Sequence, residues 1–420
     1  MRVTPATPRS LLVPALGLGF FALYLGWGLA FHLQSPRLFF YLDEVFDADI
    51  PSRIIDLTRV QGPHPRSPYH PLFVLLLNPL GFGLRALLRS GLGLEGSGRL
   101  AAIALCSTAG GASVAVFARF VLGLGLAPLR AALWTLVFGL SASQLVFASL
   151  PESWVFSGLA LIVLFALGVR PKPPRDGLVL AGAAAFGMAV TNLGAAALVR
   201  ARWLLPERRP VAIVLGLARY LSVVLLLTAL LAALQAVVYP GTTPFYRPEP
   251  LARDDRLSFV ETPTPWAFVG RVREVGAHLL FFDLVAPRLL VTETGTPRTI
   301  VDFPEASFAA FRATGAVHAV LWSALLLLSV SGLARTRDPL ILALALWLAS
   351  QAALHMVFGT SLFLYSCQWT FAVIALAAVG TERLGPSRGL DAALLALVAL
   401  QAVTNTSFLL EILRLFAEPR

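Results

Sequence analysis

Charge, lysine and cysteine are all scarce in this chain of 420 residues, and each scarcity excludes something. Only 13% of the residues are charged, about half the roughly 25% of a soluble domain, so a water-exposed globular surface is excluded. The two cysteines, Cys106 and Cys367, both sit in apolar segments. They supply neither a disulfide framework nor a thiolate metal motif. Lys172 is the single lysine, so the formal charge of +10 rests on arginine. A coding bias accounts for that preference without any function. The functional alternative is phosphate recognition, because a guanidinium grips phosphate through two parallel hydrogen bonds. Nucleic-acid binding is excluded, since the arginines are scattered among apolar segments instead of forming one basic stripe. Nucleotide motifs are missing too: there is no P-loop, no Rossmann glycine fingerprint and no nucleophile elbow. A donor substrate would then have to be carried in the membrane.

What the chain does have is apolar length. It is 57% hydrophobic with mean hydropathy +0.77, and long apolar runs recur from end to end. A bilayer takes about 20 apolar residues to span. Candidate spans fall at 11–32, 70–89, 99–121, 128–148, 153–169, 177–199, 211–238, 313–332, 339–358, 362–380 and 390–416. The expected fold class is therefore all-α, a polytopic transmembrane protein with about eleven membrane segments and a single integral-membrane domain over 1–420. The run from Leu11 to about His32 exceeds a signal-peptide core and has no clean cleavage site, so it reads as the first span, starting in the cytoplasm.

The positive-inside rule orients the short loops. Arg170, Lys172 and Arg175 mark one inside loop, and Arg200, Arg202, Arg208 and Arg209 another. Arg335 with Arg337, and Arg383 with Arg388, mark two more. Two loops, 33–69 and 239–312, then lie outside. One apolar stretch separates two inside loops at 170–176 and 200–210, so the chain must double back. The break at "VTNLG", Val190 to Gly194, is the place for it. Asn78-Pro79, Gly81 and Gly83 predict a similar interruption in 70–89. Non-helical backbone at membrane depth survives only where protein or water covers it, so both breaks are candidates for lining a cavity. In the second outer loop, Trp266, Val269, Val272, Leu279 and Phe282 form the apolar face of a helix lying in the interface.

The first outer loop holds the densest chemistry. "YLDEVFDAD" packs Asp43, Glu44, Asp47 and Asp49 into seven positions. Asp49 precedes Pro51 and an apolar stripe of Ile50, Ile54 and Leu57, which predicts a helix capped by Asp49. Asp43 and Glu44 have only a solvated loop as their structural alternative. "GPHPRSPYHPLF" follows, with His64, Arg66, Tyr69 and His70 between prolines, cations and donors suited to a phosphate. A zinc site from His64, His70 and a carboxylate has no recognised ligand spacing. Glu152, after Pro151, can face the same side, with stabilisation of a helix N-terminus as its structural alternative. His318, Gln351 and His355 lie inside apolar spans. They would support a rival function, a transporter or flippase of lipid-linked sugars.

This arrangement resembles the GT-C class of integral-membrane glycosyltransferases. The likeness is to the branch holding the protein O-mannosyltransferases and the lipid A aminoarabinose transferase. It rests on "LDEVFDAD", on His70-Pro71-Leu72, on "LPES" at Leu150 to Ser153 and on "GMAVTN" at Gly187 to Asn192. Asn192 stands where that branch often has a lysine or arginine. The resemblance covers the first half of the chain. It implies transfer of a sugar from a polyprenyl-phosphate donor to a protein, glycan or glycolipid acceptor, on the outer face of a bacterial-type inner membrane. On that reading Asp49 or Asp43 is the general base, and Glu44 and Asp47 orient the acceptor or bind a divalent cation. Arg53, His64, Arg66 and His70 contact phosphate, with Glu152 and Asn192 as further substrate contacts.

Overall fold

The structure, a computed structural model, describes residues 9–172, 175–205, 209–247, 264–293 and 298–417. It is a helical bundle. α1 (Arg9–Gln34) is followed by short α2 (Ile50–Thr58) and then α3 (Phe73–Ala86), which ends in a π turn over Leu87–Gly91. Next come α4 (Ser97–Gly123), α5 (Pro128–Gly139), α6 (Ala142–Phe147), α7 (Trp154–Gly168), α8 (Arg175–Met188), α9 (Leu193–Leu204) and α10 (Pro210–Val238). The second half holds α11 (Pro265–Ala277), α12 (Ala313–Leu333), α13 (Pro339–His355), α14 (Thr370–Glu382) and α15 (Arg388–Ala417). Strands β1 (Leu290–Glu293) and β2 (Thr299–Asp302) pair antiparallel within the second long loop. Parts of that loop, and Arg208, lie outside the described residues.

Among the described residues, six helices are long and apolar enough to cross a membrane, or seven if the bent pair at Leu362–Gln368 and Thr370–Glu382 counts as one span. The eleven expected segments are thus not all single long helices. The stretch 128–148 divides into α5 and α6 at Leu140–Ser141, where the Ser141 hydroxyl accepts from the Gln144 N–H. The stretch 362–380 is a 3-10 turn joined to α14 at 56°. The stretch 177–199 divides at a 3-10 turn over Val190–Asn192, as its "VTN" break predicts. The two half-length helices α8 and α9 pack on each other and on α10.

Close contacts fix how the helices run. α1 and α4 are antiparallel: Gly17 lies against Ala115 and Gly111, Gly28 against Ile103, and His32 against Gly96. A Cβ on Gly111 would stand 2.7 Å from the Gly17 carbonyl oxygen, so only glycine lets the two backbones approach this closely. One end of the bundle therefore carries residues around 32 and 96. It also gathers Leu413, whose carbonyl accepts from Ser35 Oγ, and Gly241, whose carbonyl accepts from the His64 N–H. The opposite end gathers Arg130 with Glu382, Asp391 and the Gly385 carbonyl.

α3 fills most of the stretch expected as a span at 70–89, and Phe73–Gly91 is among the helices long and apolar enough to cross. Phe73, at its start, lies under the Arg53 guanidinium of α2, 5.8 Å from ring centroid to Cζ. Near its end, Arg85 Nη1 donates to the Thr58 carbonyl at 3.0 Å, and Thr58 and Arg85 both touch Gly98 at the start of α4. Both ends of α3 are thus in the half of the bundle that carries His32 and Gly96. The helix packs along α2. Asn78 and Gly81 do not break it. Asn78 Nδ2 donates to the Asp56 and Arg59 carbonyls, both at 2.8 Å, which satisfies the open C-terminal end of α2. A Cβ on Gly81 would stand 2.1 Å from the Leu57 carbonyl oxygen. The polar and small residues that look like a break are where α2 docks.

Candidate functional site

α2 has two faces. Ile50 and Leu57 are buried as the apolar stripe requires, but Arg53, Asp56 and Thr58 are buried as well. A guanidinium and a carboxylate leave water only when they are paired. Arg53 Nη1 meets Asp56 Oδ2 at 2.6 Å, Arg53 Nη2 lies 3.6 Å from Asp49 Oδ2, and its Nε lies 3.9 Å from Glu152 Oε1. One buried arginine thus compensates three carboxylates. Asp56 is held on its other oxygen by His64 Nδ1 at 2.7 Å.

Asp49 occupies the residue before α2, but its carboxylate forms no cap. It accepts instead from Arg66 Nε at 2.7 Å, and its own N–H donates to Glu152 Oε2 at 3.1 Å. The capping expectation is corrected: the nearby guanidinium, a charged donor, outcompetes the neutral backbone amides. Glu152 is 2% exposed. Its Oε1 accepts from the Ser153 N–H at 2.6 Å and the Ser153 hydroxyl at 2.9 Å. Burial pushes its carboxyl pKa up, with Arg53 opposing and Asp49 reinforcing the shift.

The segment 66–72 is tied to the α8–α9 break. The Leu72 N–H donates to the Gly187 carbonyl, and the Val190 N–H to the Tyr69 carbonyl. His70 Nδ1 lies 2.5 Å from the Met188 carbonyl oxygen, and its Nε2 lies 3.3 Å from Ser153 Oγ. Burial, with Arg53 nearby, lowers the His70 pKa to about 4. The ring is therefore neutral at physiological pH, and the carbonyl contact assigns its proton to Nδ1.

These groups surround a cavity of about 70 Å³. Asp49, Arg53, Arg66, His70, Glu152 and Ser153 supply its polar wall, and Ala189, Val190 and Thr191 come from the α8–α9 break. Tyr69, Trp154, Phe358, Leu364 and Tyr365 complete it with aromatic and apolar surface. The last three come from the turn between α13 and α14, so both halves of the chain build the site.

Five of the ten residues singled out from the sequence meet there: Asp49, Arg53, Arg66, His70 and Glu152. His64 stands one layer back, buried behind Asp56, with its ring edge toward Tyr239. Asn192 is fully buried and does not line the cavity. Its Nδ2 donates to Ser157 Oγ and to the Ala185 carbonyl, and so pins the break whose Thr191 is exposed to the cavity. Asp43, Glu44 and Asp47 are absent from the lining. Asp43 and Asp47, with Phe46, hold positive φ angles of 61°, 60° and 52°, the left-handed conformation that acids tolerate better than most residues. The tight turn they make lays the chain against β2. The Phe46 N–H donates to the Val301 carbonyl, and the Val301 N–H donates to the Glu44 carbonyl. Glu44 is 2% exposed, and its Oε1 accepts from the Thr299 N–H at 3.3 Å. The acid-rich turn thus joins the two long loops.

Residues that the sequence did not single out include Asp56 and Ser153. The spacing of Asp56, three residues after Arg53, is the signal that could have found it. Among the described residues, no three His, Cys, Asp or Glu side chains converge to hold a metal ion. His318 and Gln351 are buried in α12 and α13, and the His355 ring meets Tyr365 at a tilt and Trp369 edge-on. Comparison of the chain with protein families, with curated proteins and with solved structures finds no match.

Proposed function

We propose that this protein is a membrane glycosyltransferase that moves a sugar from a polyprenyl-phosphate donor to an acceptor hydroxyl. The observation that carries this reading is the meeting of Asp49, Arg66, Arg53 and Glu152 in one cavity walled by Tyr69, Trp154 and Tyr365. A carboxylate accepts a hydroxyl proton, guanidinium groups hold a departing phosphate, and aromatic faces stack against sugar rings. In a single displacement the acceptor oxygen bonds to the sugar C1 as the C1–O bond to phosphate breaks. The electron pair leaves with the phosphate, and the acceptor proton passes to a carboxylate. The configuration at C1 inverts.

Asp49 is the base in this reading. Its side chain is 15% exposed, against 3% for Glu152. Arg66, 21% exposed, is the phosphate contact and is now paired with Asp49. A donor phosphate that draws Arg66 toward itself leaves Asp49 less neutralised and more basic. Glu152 acts through Ser153 and the Asp49 amide, fixing both. A membrane divided into about eleven crossings also fits. If α3 stays on the cavity side and α8 and α9 each cross, the chain ends on that side. The opposite end then carries Arg170, Lys172, Arg200, Arg202, Arg335, Arg337, Arg383 and Arg388, an assembly that the positive-inside rule puts in the cytoplasm.

The test is transfer from radiolabelled polyprenyl-phosphate hexoses and pentoses by the purified protein in lipid vesicles. Asp49→Asn is expected to lower kcat by about 10²- to 10⁴-fold, with its folding shown by an unshifted melting temperature. Wild-type turnover in Asp49→Asn would refute the assignment.

A further inference from the structure

A second charged cavity lies on the other face of α2. It is a groove of about 670 Å³ between α2, the end of α3 and the start of α4. Arg59, Arg85, Arg89 and Arg99 line it, with Glu95 as the one acid in its lining. Arg85 is anchored to the Thr58 carbonyl. Arg99 is held over the rings of Phe39 and Phe40, at 5.9 and 5.4 Å, and its Nη1 is buried with no hydrogen-bond partner. The side chains of Arg59 and Arg89 are exposed and form no hydrogen bond or ion pair among the described residues.

The groove also takes in the N-terminus of the 27-residue helix α4. Gly96, at φ 67°, turns the chain into that helix, and the first amides of the helix have no carbonyl partner within it. A helix N-terminus with bare amides carries partial positive charge and favours an anion. Four guanidinium groups beside one carboxylate, with a helix N-terminus among them, give the groove a positive charge suited to an anion.

Apolar surface adjoins this charge. Phe40 is 62% exposed and Leu94 41%, both in the groove lining, and Leu87 and Leu92 beside them are exposed too. A free anion needs no such rim, whereas a lipid headgroup brings acyl chains that cover it. We propose that this groove is a phosphate-binding site separate from the candidate active site, taking the phosphodiester of an anionic phospholipid with its acyl chains along α3. It shares only α2 with the cavity that holds Asp49.

The experiment is titration of the purified full-length protein in neutral detergent with phosphatidylglycerol, phosphatidylcholine or inorganic phosphate, read by native mass spectrometry. Phosphatidylglycerol is expected to be retained and phosphatidylcholine not. The Arg59→Gln/Arg89→Gln variant is expected to bind phosphatidylglycerol about 30-fold more weakly, each arginine near a membrane surface contributing roughly 1 kcal/mol to anionic-lipid binding. Both side chains are exposed, and Arg89→Gln alone, about fivefold weaker, serves if the double variant does not fold. Displacement of the lipid by inorganic phosphate would identify a free phosphate as the ligand of the same site. Binding of phosphatidylglycerol unchanged by the substitutions, or equal retention of phosphatidylcholine, overturns the proposal. Asp49→Asn should bind the lipid as wild type does, so this result stands or falls apart from the transferase reading.

Discussion

Arg53 is the residue on which the candidate site turns. Its guanidinium faces Asp49, Asp56 and Glu152 at 2.6–3.9 Å, with Phe73 beneath it. Removing it takes the guanidinium away from buried Glu152 and leaves buried Asp56 with only His64, and uncompensated buried charge of that kind costs about 3–5 kcal/mol. Arg53→Met is therefore expected to unfold at markedly lower temperature than wild type, whereas Arg66→Gln, at the partly exposed edge, is expected to lose transfer with little change in melting. His70 gives a pH signature. Its folded pKa of about 4 lies below its ordinary 6.5, so the unfolded chain takes up a proton first as the solution is acidified. Stability that is full above pH 6.5 is then lost between pH 6.5 and 4, by up to about 3 kcal/mol from this group. The melting temperature of His70→Gln should fall less than that of wild type between pH 7.5 and pH 4.5. An equal fall in both proteins would remove His70 from the account.

At the scale of elements, α2 and α3 show what the sequence could and could not reveal. The apolar stripe of α2 and its start near Pro51 were legible, because helical period and proline position are local properties. The partner of Asp49 was not, since Arg66 is 17 residues away and reaches it only after the chain has folded back. In α3 the polar and glycine residues carry the signature of a break. Their true role depends on a neighbour: Asn78 completes the hydrogen bonds of α2, and Gly81 makes room for it. Asn78→Ala leaves the buried Asp56 carbonyl and the part-buried Arg59 carbonyl short of a donor, at a cost of about 1–3 kcal/mol. It is expected to lower the melting temperature and to disturb transfer through α2, while Leu76→Ala, exposed on the same helix, does neither. The break at Val190–Asn192 was legible for a different reason: charge on both flanks demanded an even number of crossings.

For the whole molecule, the helical membrane class was plain from apolar length, and the placing of the ends was not. A span and a helix lying at the surface have the same composition, and contacts alone separate them. Single cysteines introduced by Thr360→Cys, Ser90→Cys and Arg337→Cys check the arrangement, since native Cys106 and Cys367 are buried. Labelling of intact cells with an impermeant maleimide is expected to mark the first two and to spare the third. Protection of Ser90→Cys with labelling of Thr360→Cys would mean that α3 crosses. The pairing of Val45 with Val301, and of Ser35 with Leu413 across 378 positions, also bears on the order of assembly. The acid-rich turn emerges early in synthesis, but Thr299 and Val301, which hold it, emerge about 255 residues later. At about 5–20 residues per second, the turn waits roughly 13–50 s for Val301. A nascent chain arrested before residue 301 should therefore insert its early helices yet leave residues 43–47 open to protease, and the site becomes complete only once Tyr365 has been made.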